Sequence, residues 1–226
     1  MVKQLSRIAH STRNCNPMDD STPRKFTSRI RRLRRAELPV DTVALARFLI
    51  GKTLVHETPR GRLAGRIVET EAYPIGDPAG HAFTGPSLAN RSLFLERGHA
   101  YVRFTYGVHW LFNVSSERRG VGGGCLIRAL EALDGIATMQ RNRGETKLTE
   151  LARGPGRLTE AMGIDKRFDG VDLCSRASPI WLGASVRPEG RTGVSTRIGI
   201  SRAAHRKLRF YERGSPFISG PRSLNS

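Results

Sequence analysis

The chain has 226 residues, enough for one domain of ordinary size plus tails, and 38% of them are hydrophobic, enough for one core. Its formal net charge of +18 and sequence pI of about 11.2 point to a polyanionic partner, either nucleic acid or an anionic membrane surface. No apolar run approaches the roughly 20 residues that cross a bilayer. The N-terminus lacks the apolar stretch of a secretory signal. Cys15, Cys125 and Cys174 are odd in number and too scattered for a disulfide framework or a structural zinc site, so they read as reduced thiols.

Residues 1–36 hold ten Lys/Arg against two Asp, a net +8, which leaves +10 for the rest. The folded part is therefore cationic in its own right. The first 36 residues carry almost no periodic apolar pattern and end in the run RIRRLRR (29–35). They read as a disordered basic arm that raises affinity for a phosphate backbone in a salt-sensitive way, or as solvated charge with no single role.

A folded domain is expected over 37–220, with a tail at 221–226. Asp41 is placed to cap a helix over 42–50, whose stripe is Val43, Leu45, Phe48 and Leu49 and whose stop is Gly51. Strands follow at Thr53–Glu57 and Leu63–Tyr73, joined by a turn at Pro59–Gly61. Positions 74–98 read as a loop, with five Gly/Pro between Pro74 and Gly85, and a loop of that length is often functional. The stretch AYVRFTYGVHWLFNV (100–114) is aromatic and β-branched and breaks at Gly107, which suggests a strand pair with Tyr106–Gly107 at the bend. A strand is expected over Cys125–Ala132, helices over 134–143 and 156–163, and short strands at Ile180–Leu182, Thr196–Ile200 and Lys207–Tyr211. Strands and helices without regular alternation give an α+β class: a single domain built on a mainly antiparallel sheet with surrounding helices.

Five segments, in order, resemble the alkyladenine (3-methyladenine, or methylpurine) DNA glycosylase family. They are GRIVETEAYP (65–74) with His81 after it, GHAYVRFTYGVHWLFNVSS (98–116), CLIRALEAL (125–133), LARGPGRLTEAMGI (151–164), and STRIGI with LRFYERGSPFIS (195–219). The resemblance runs from about Leu38 to Ser219. The resemblance implies a monomer acting on alkylated or deaminated purines in double-stranded DNA, with no cofactor and no metal. It also implies a β-hairpin that inserts into the minor groove.

Such chemistry needs a wedge, a stacking pocket and a base, because the target C1′ is reached only when the nucleotide is flipped from the stack. The resemblance makes Tyr106 the wedge, with Val108 and His109 as further DNA contacts on the same hairpin; on composition alone Tyr106 is a half-buried sheet residue. Glu69 and Glu71 lie two apart on a strand, so spacing does not separate them. The resemblance selects Glu71 as the general base, Arg128 as the residue that holds the attacking water beside it, and the Ile198 carbonyl as the third side of that water's site. It also implies that Tyr73 and His81 sandwich the purine and that Asn113 excludes the guanine amine; strand-end hydrogen bonding is the plainer reading of Asn113.

Arg103 departs from the family pattern, which usually has an aromatic there. A guanidinium can stack on a purine and would place a positive charge near the lesion, favouring neutral lesions over cationic ones; alternatively it swings out to a phosphate. No motif positions a lysine for Schiff-base chemistry, so a monofunctional enzyme is expected. Two competing readings are a non-catalytic damage-binding protein and a metal-dependent nuclease using Glu69, Glu71 and Asp77. The expected compartment is the cytoplasm, at the nucleoid, in a bacterium and the nucleus in a eukaryote. No membrane association is expected.

Overall fold

Asp41 starts the first helix by accepting a hydrogen bond from the Ala44 N–H at 2.7 Å, as its position predicts. α1 (Thr42–Leu49) follows, and Gly51, at a φ of +83°, turns the chain out of it. Thr42, Leu45, Ala46 and Leu49 are the buried face, at helical spacing. This computed structural model describes residues 29–221 except Tyr106, together with residues 223 and 225.

Among the described residues, eight strands form one sheet: β1 (Thr53–Thr58), β2 (Gly61–Tyr73), β3 (Ala100–Thr105), β4 (His109–Ser115), β5 (Gly124–Asp134), β6 (Ile180–Gly183), β7 (Thr192–Ser195) and β8 (Arg209–Glu212). Its main path runs β3-β4-β5-β2-β1-β6, with β8 between β2 and β7, and every pairing is antiparallel. β2 is the hub. It pairs with β5 along one edge, and on the other with β1 through its first half and β8 through its second.

α2 (Ile136–Arg143) and α3 (Pro155–Met162) complete the α-helices of the described residues. Leu45 and Leu49 from α1, Ile67, Ile127 and Leu130 from the central strands, Phe112 from β4 and Leu158 and Met162 from α3 form one buried cluster. Each large side chain of this kind contributes about 1.5–3 kcal/mol by leaving water. The architecture is the α+β domain expected, and no helix among the described residues is long and apolar enough to cross a membrane.

Two expectations need correction. Thr196–Ile200 is not a strand; the strand is β7, just before it. Arg197 turns inward to a buried ion pair with Asp77, and Gly199 adopts a φ of +76°, so the extended ladder cannot continue. Residues 29–36, read as part of the arm, are packed: Ile30 and Leu33 are buried, Leu33 N–H donates to the Leu182 carbonyl at 2.9 Å, and Ala184 N–H to the Arg31 carbonyl at 2.8 Å. This segment covers the exposed edge of β6, a common protection for an edge strand. Within the expected C-terminal tail, Asn225 Oδ1 accepts a hydrogen bond from the buried Arg209 at 2.8 Å. Residues 1–28 of the expected arm lie outside the described residues.

Candidate active site

The centre of the site follows from a double irregularity in the β2–β5 ladder. Ile67 pairs with Leu130 and Glu69 with Ala129, so Val68 is an extra residue on β2; Thr70 then pairs with Ile127, so Arg128 is an extra residue on β5. Bulges re-aim side chains and are frequent beside active sites. Here Arg128 reaches both carboxylates of β2, with Nε 3.0 Å from Glu69 Oε1 and Nη1 3.2 Å from Glu71 Oε1.

The surroundings separate the two glutamates that spacing left equivalent. Glu69 Oε1 also accepts from Arg209 Nε at 2.7 Å and Ser219 Oγ at 2.9 Å, and its Oε2 accepts from Ser219 N–H. Burial alone would raise its carboxyl, but Arg128 and Arg209, with the hydrogen bond from the Ser219 backbone, hold it below the usual carboxylate range. Glu69 is a structural anchor. Glu71 is buried too, yet its partners all face a cavity: Ile198 N–H donates to Oε1 at 2.8 Å and the Tyr73 hydroxyl to Oε2 at 2.8 Å. Ile198, whose carbonyl is the expected third side of the water's site, thus contacts Glu71 through its N–H. Burial, then the neighbouring Glu71 charge, pushes the Tyr73 phenol well above its usual range, so it stays a hydrogen-bond donor.

The cavity has a volume of about 710 Å³, in the range of small-molecule pockets. Tyr73, His81, Arg103, Asn113, Arg128 and Ile198 all line it, so the structure brings together every expected pocket residue around the wall behind which Glu71 sits. Loop 74–98 contains no strand and one short 3-10 turn at Arg91–Phe94. It is shaped by the buried Asn90, whose Nδ2 donates to the carbonyls of His81 at 2.7 Å and Gly85 at 3.0 Å. That fixes His81 at the cavity. Arg103 faces inward as well: its Nη1 lies 2.8 Å from His81 Nδ1, and its Nε donates to Thr105 Oγ1 at 2.8 Å. Burial and the Arg103 charge lower the His81 imidazole to about 4, so it is neutral at neutral pH. Asn113 Nδ2 donates to the Tyr101 carbonyl at 3.2 Å, across the β3–β4 pair.

At the hairpin tip, Val108 N–H donates to the Thr105 carbonyl at 3.2 Å and Gly107 has a φ of +68°. Val108 is 65% exposed and His109 exposed, and His109 also lines the cavity mouth. Its ring packs on Gly156 at the start of α3, where an added Cβ would lie 2.7 Å from His109 Cγ. Tyr106, the expected wedge, lies outside the described residues.

Two supports are invisible to local pattern. Arg197 Nη1 pairs with Asp77 Oδ2 at 2.7 Å and donates to the Ala72 carbonyl at 3.0 Å, and its guanidinium lies 4.5 Å from the Tyr73 ring centroid. It ties the segment after β7 and the start of loop 74–98 to the end of β2 that carries Glu71 and Tyr73. Arg209, on β8, does the same for Glu69. Long-range ion pairs of this kind leave no spacing signal; only the presence of arginines in otherwise apolar segments hints at them. Among the described residues, no group of three or more His, Cys, Asp or Glu is arranged to hold a metal, and Asp77 faces Arg197 and Arg206 instead. The arrangement can place a carboxylate, paired with an arginine, beside a planar ligand and a water molecule.

The family model described as methylpurine-DNA glycosylase matches residues 36–216. A protein of Mesorhizobium japonicum is 62% identical over 190 residues, covering 84% of this chain and 91% of the relative. One of Paraburkholderia phytofirmans is 54% identical over 201 residues, covering 89% and 94%. A third, from Rubrobacter xylanophilus, is 43% identical over 177 residues, covering 78% and 92%. All three carry the name "Putative 3-methyladenine DNA glycosylase". On a match of this length and identity, the chain belongs to the methylpurine-DNA glycosylase family.

Proposed function

We propose that this chain is a monofunctional DNA glycosylase that rotates a damaged purine out of duplex DNA into the cavity and hydrolyses its N-glycosidic bond, with Glu71 as the general base. The observation that carries the reading is the Glu71 carboxylate, held by Arg128, Ile198 N–H and the Tyr73 hydroxyl directly behind the cavity wall. Water attacks C1′ and gives its proton to Glu71, whose charge also stabilises the developing oxocarbenium ion. Arg128 lies beside that carboxylate as its counter-ion. A purine packing on Tyr73 would move the phenol aside and give water access to Oε2.

Tyr73 and His81 flank the flipped base, and Asn113 sits across the cavity to reject a guanine amine. The exposed Val108 and His109, with Tyr106 between them and β3, follow the minor groove and fill the gap left by the flipped nucleotide. The net charge of +18 supplies the attraction to the backbone. No lysine among the described residues lines the cavity, which supports hydrolysis without a lyase step.

The test is a duplex carrying one labelled hypoxanthine opposite thymine, incubated with chelator and then treated with alkali. A break at the lesion only after alkali supports base excision. A break without alkali means lyase or nuclease chemistry, and tight binding with no break means a damage-binding protein.

A further inference from the structure

We propose that Arg103, braced against His81 and Thr105, makes this cavity favour damaged purines that are uncharged over those that are cationic; the inference rests on the glycosylase reading above. Arg103 projects from β3 into the cavity and is held at both ends of its guanidinium, by Thr105 Oγ1 at Nε and by the His81 ring at Nη1. That bracing supports the inward-facing reading over the alternative in which it swings out to a phosphate. Among the described residues it forms no ion pair, whereas the other arginines lining the cavity have carboxylate partners: Arg128 has Glu69 and Glu71, and Arg153 and Arg157 share Glu150. Arg103 therefore brings to the cavity a positive charge with no carboxylate against it. His81 adds none, since it stays neutral above about pH 4.

The chemistry of departure gives this charge its selectivity. With an uncharged purine such as hypoxanthine, the C1′–N9 bond breaks and its electron pair stays on the ring, which becomes anionic and then takes a proton from water. The hydroxyl of the attacking water bonds to C1′ and its proton passes to Glu71; Glu71 then returns that proton to the hydroxide left when the purine was protonated, so one water is consumed in all and a free purine and an abasic sugar result. A fixed cation beside the ring stabilises that growing negative charge. A cationic ring such as 3-methyladenine leaves as a neutral molecule. Arg103 has no anion to stabilise there, and it repels the ring in the bound state.

The experiment measures kcat/KM for hypoxanthine and 3-methyladenine release from duplex DNA by the native protein, Arg103→Gln and Arg103→Lys. Thermal unfolding of all three controls for folding. Comparing each variant's substrate ratio with the native ratio cancels the intrinsic lability of each lesion. The expected result is a fall of about tenfold or more in the hypoxanthine-to-3-methyladenine ratio for Arg103→Gln, restored in Arg103→Lys. An unchanged ratio with both activities lowered makes Arg103 a positioning residue only and overturns the proposal, as does a raised ratio. Release of neither purine by the native protein is a different failure: it sinks the glycosylase reading itself.

Discussion

Arg128 Nη1 faces Glu71 Oε1 at 3.2 Å across the seam between β5 and β2, in a place that a regular ladder would not allow. The paired bulges at Val68 and Arg128 turn the guanidinium toward both glutamates at once. One arginine thus serves the structural carboxylate, Glu69, and the proposed catalytic one, Glu71.

Removing that arginine leaves two buried carboxylates short of a counter-ion. Arg128→Ala is expected to destabilise the fold by about 3–5 kcal/mol, the usual effect of breaking a buried pair, and denaturant unfolding measures it. Arg128→Lys recovers part of the stability but not the two-pronged contact, because an ammonium cannot fork.

Acid should weaken the fold in a defined order. His81 titrates at about 4 when folded and at about 6.5 when unfolded, so the unfolded chain binds the proton first and stability falls as the pH drops from about 6.5 to about 4. Glu69 is held below the ordinary carboxylate value near 4.3, so its stabilisation is complete above that value and is lost as the pH falls toward the folded one. Nuclear magnetic resonance should show the His81 midpoint near 4, moving upward in Arg103→Gln but not fully back, since burial is the larger cause. A native midpoint near 6.5 would contradict the geometry.

Asp77 is fully enclosed between Arg197 and Arg206. Asp77→Ala strands the buried Arg197 and should also cost about 3–5 kcal/mol. Because Arg197 stacks on Tyr73, base release should fall in the same variant even where it remains folded. Full activity in a folded Asp77→Ala would show that Arg197 does not position Tyr73.

The edge segment gives a separate check on the fold. Leu33→Ala is expected to lower stability by about 2–5 kcal/mol, the range for a buried leucine, whereas a disordered arm would show no change.

Much of this was legible in the sequence because local signals agreed. The Asp41 cap, the Gly51 stop, the 100–114 strand pair and α3 all rest on short-range rules, and the pocket residues came through resemblance. What was misread depends on distant partners. RIRRLRR looks like solvated charge until β6 presents an open edge, against which Ile30 and Leu33 turn in. Thr196–Ile200 has strand composition, but the buried Asp77 claims Arg197. Glu69 and Glu71 are equivalent by periodicity, and only the ladder bulges and Arg209, 140 residues away in sequence, distinguish them.

The central claim is that Glu71 activates water, and Glu71→Gln tests it most directly. The variant keeps the side chain's shape and removes its basicity. Single-turnover base release and binding should be measured on the same hypoxanthine-containing duplex. The account predicts release reduced by about 10²–10⁴-fold with binding retained. Release within a few-fold of the native rate, at equal binding, would contradict it.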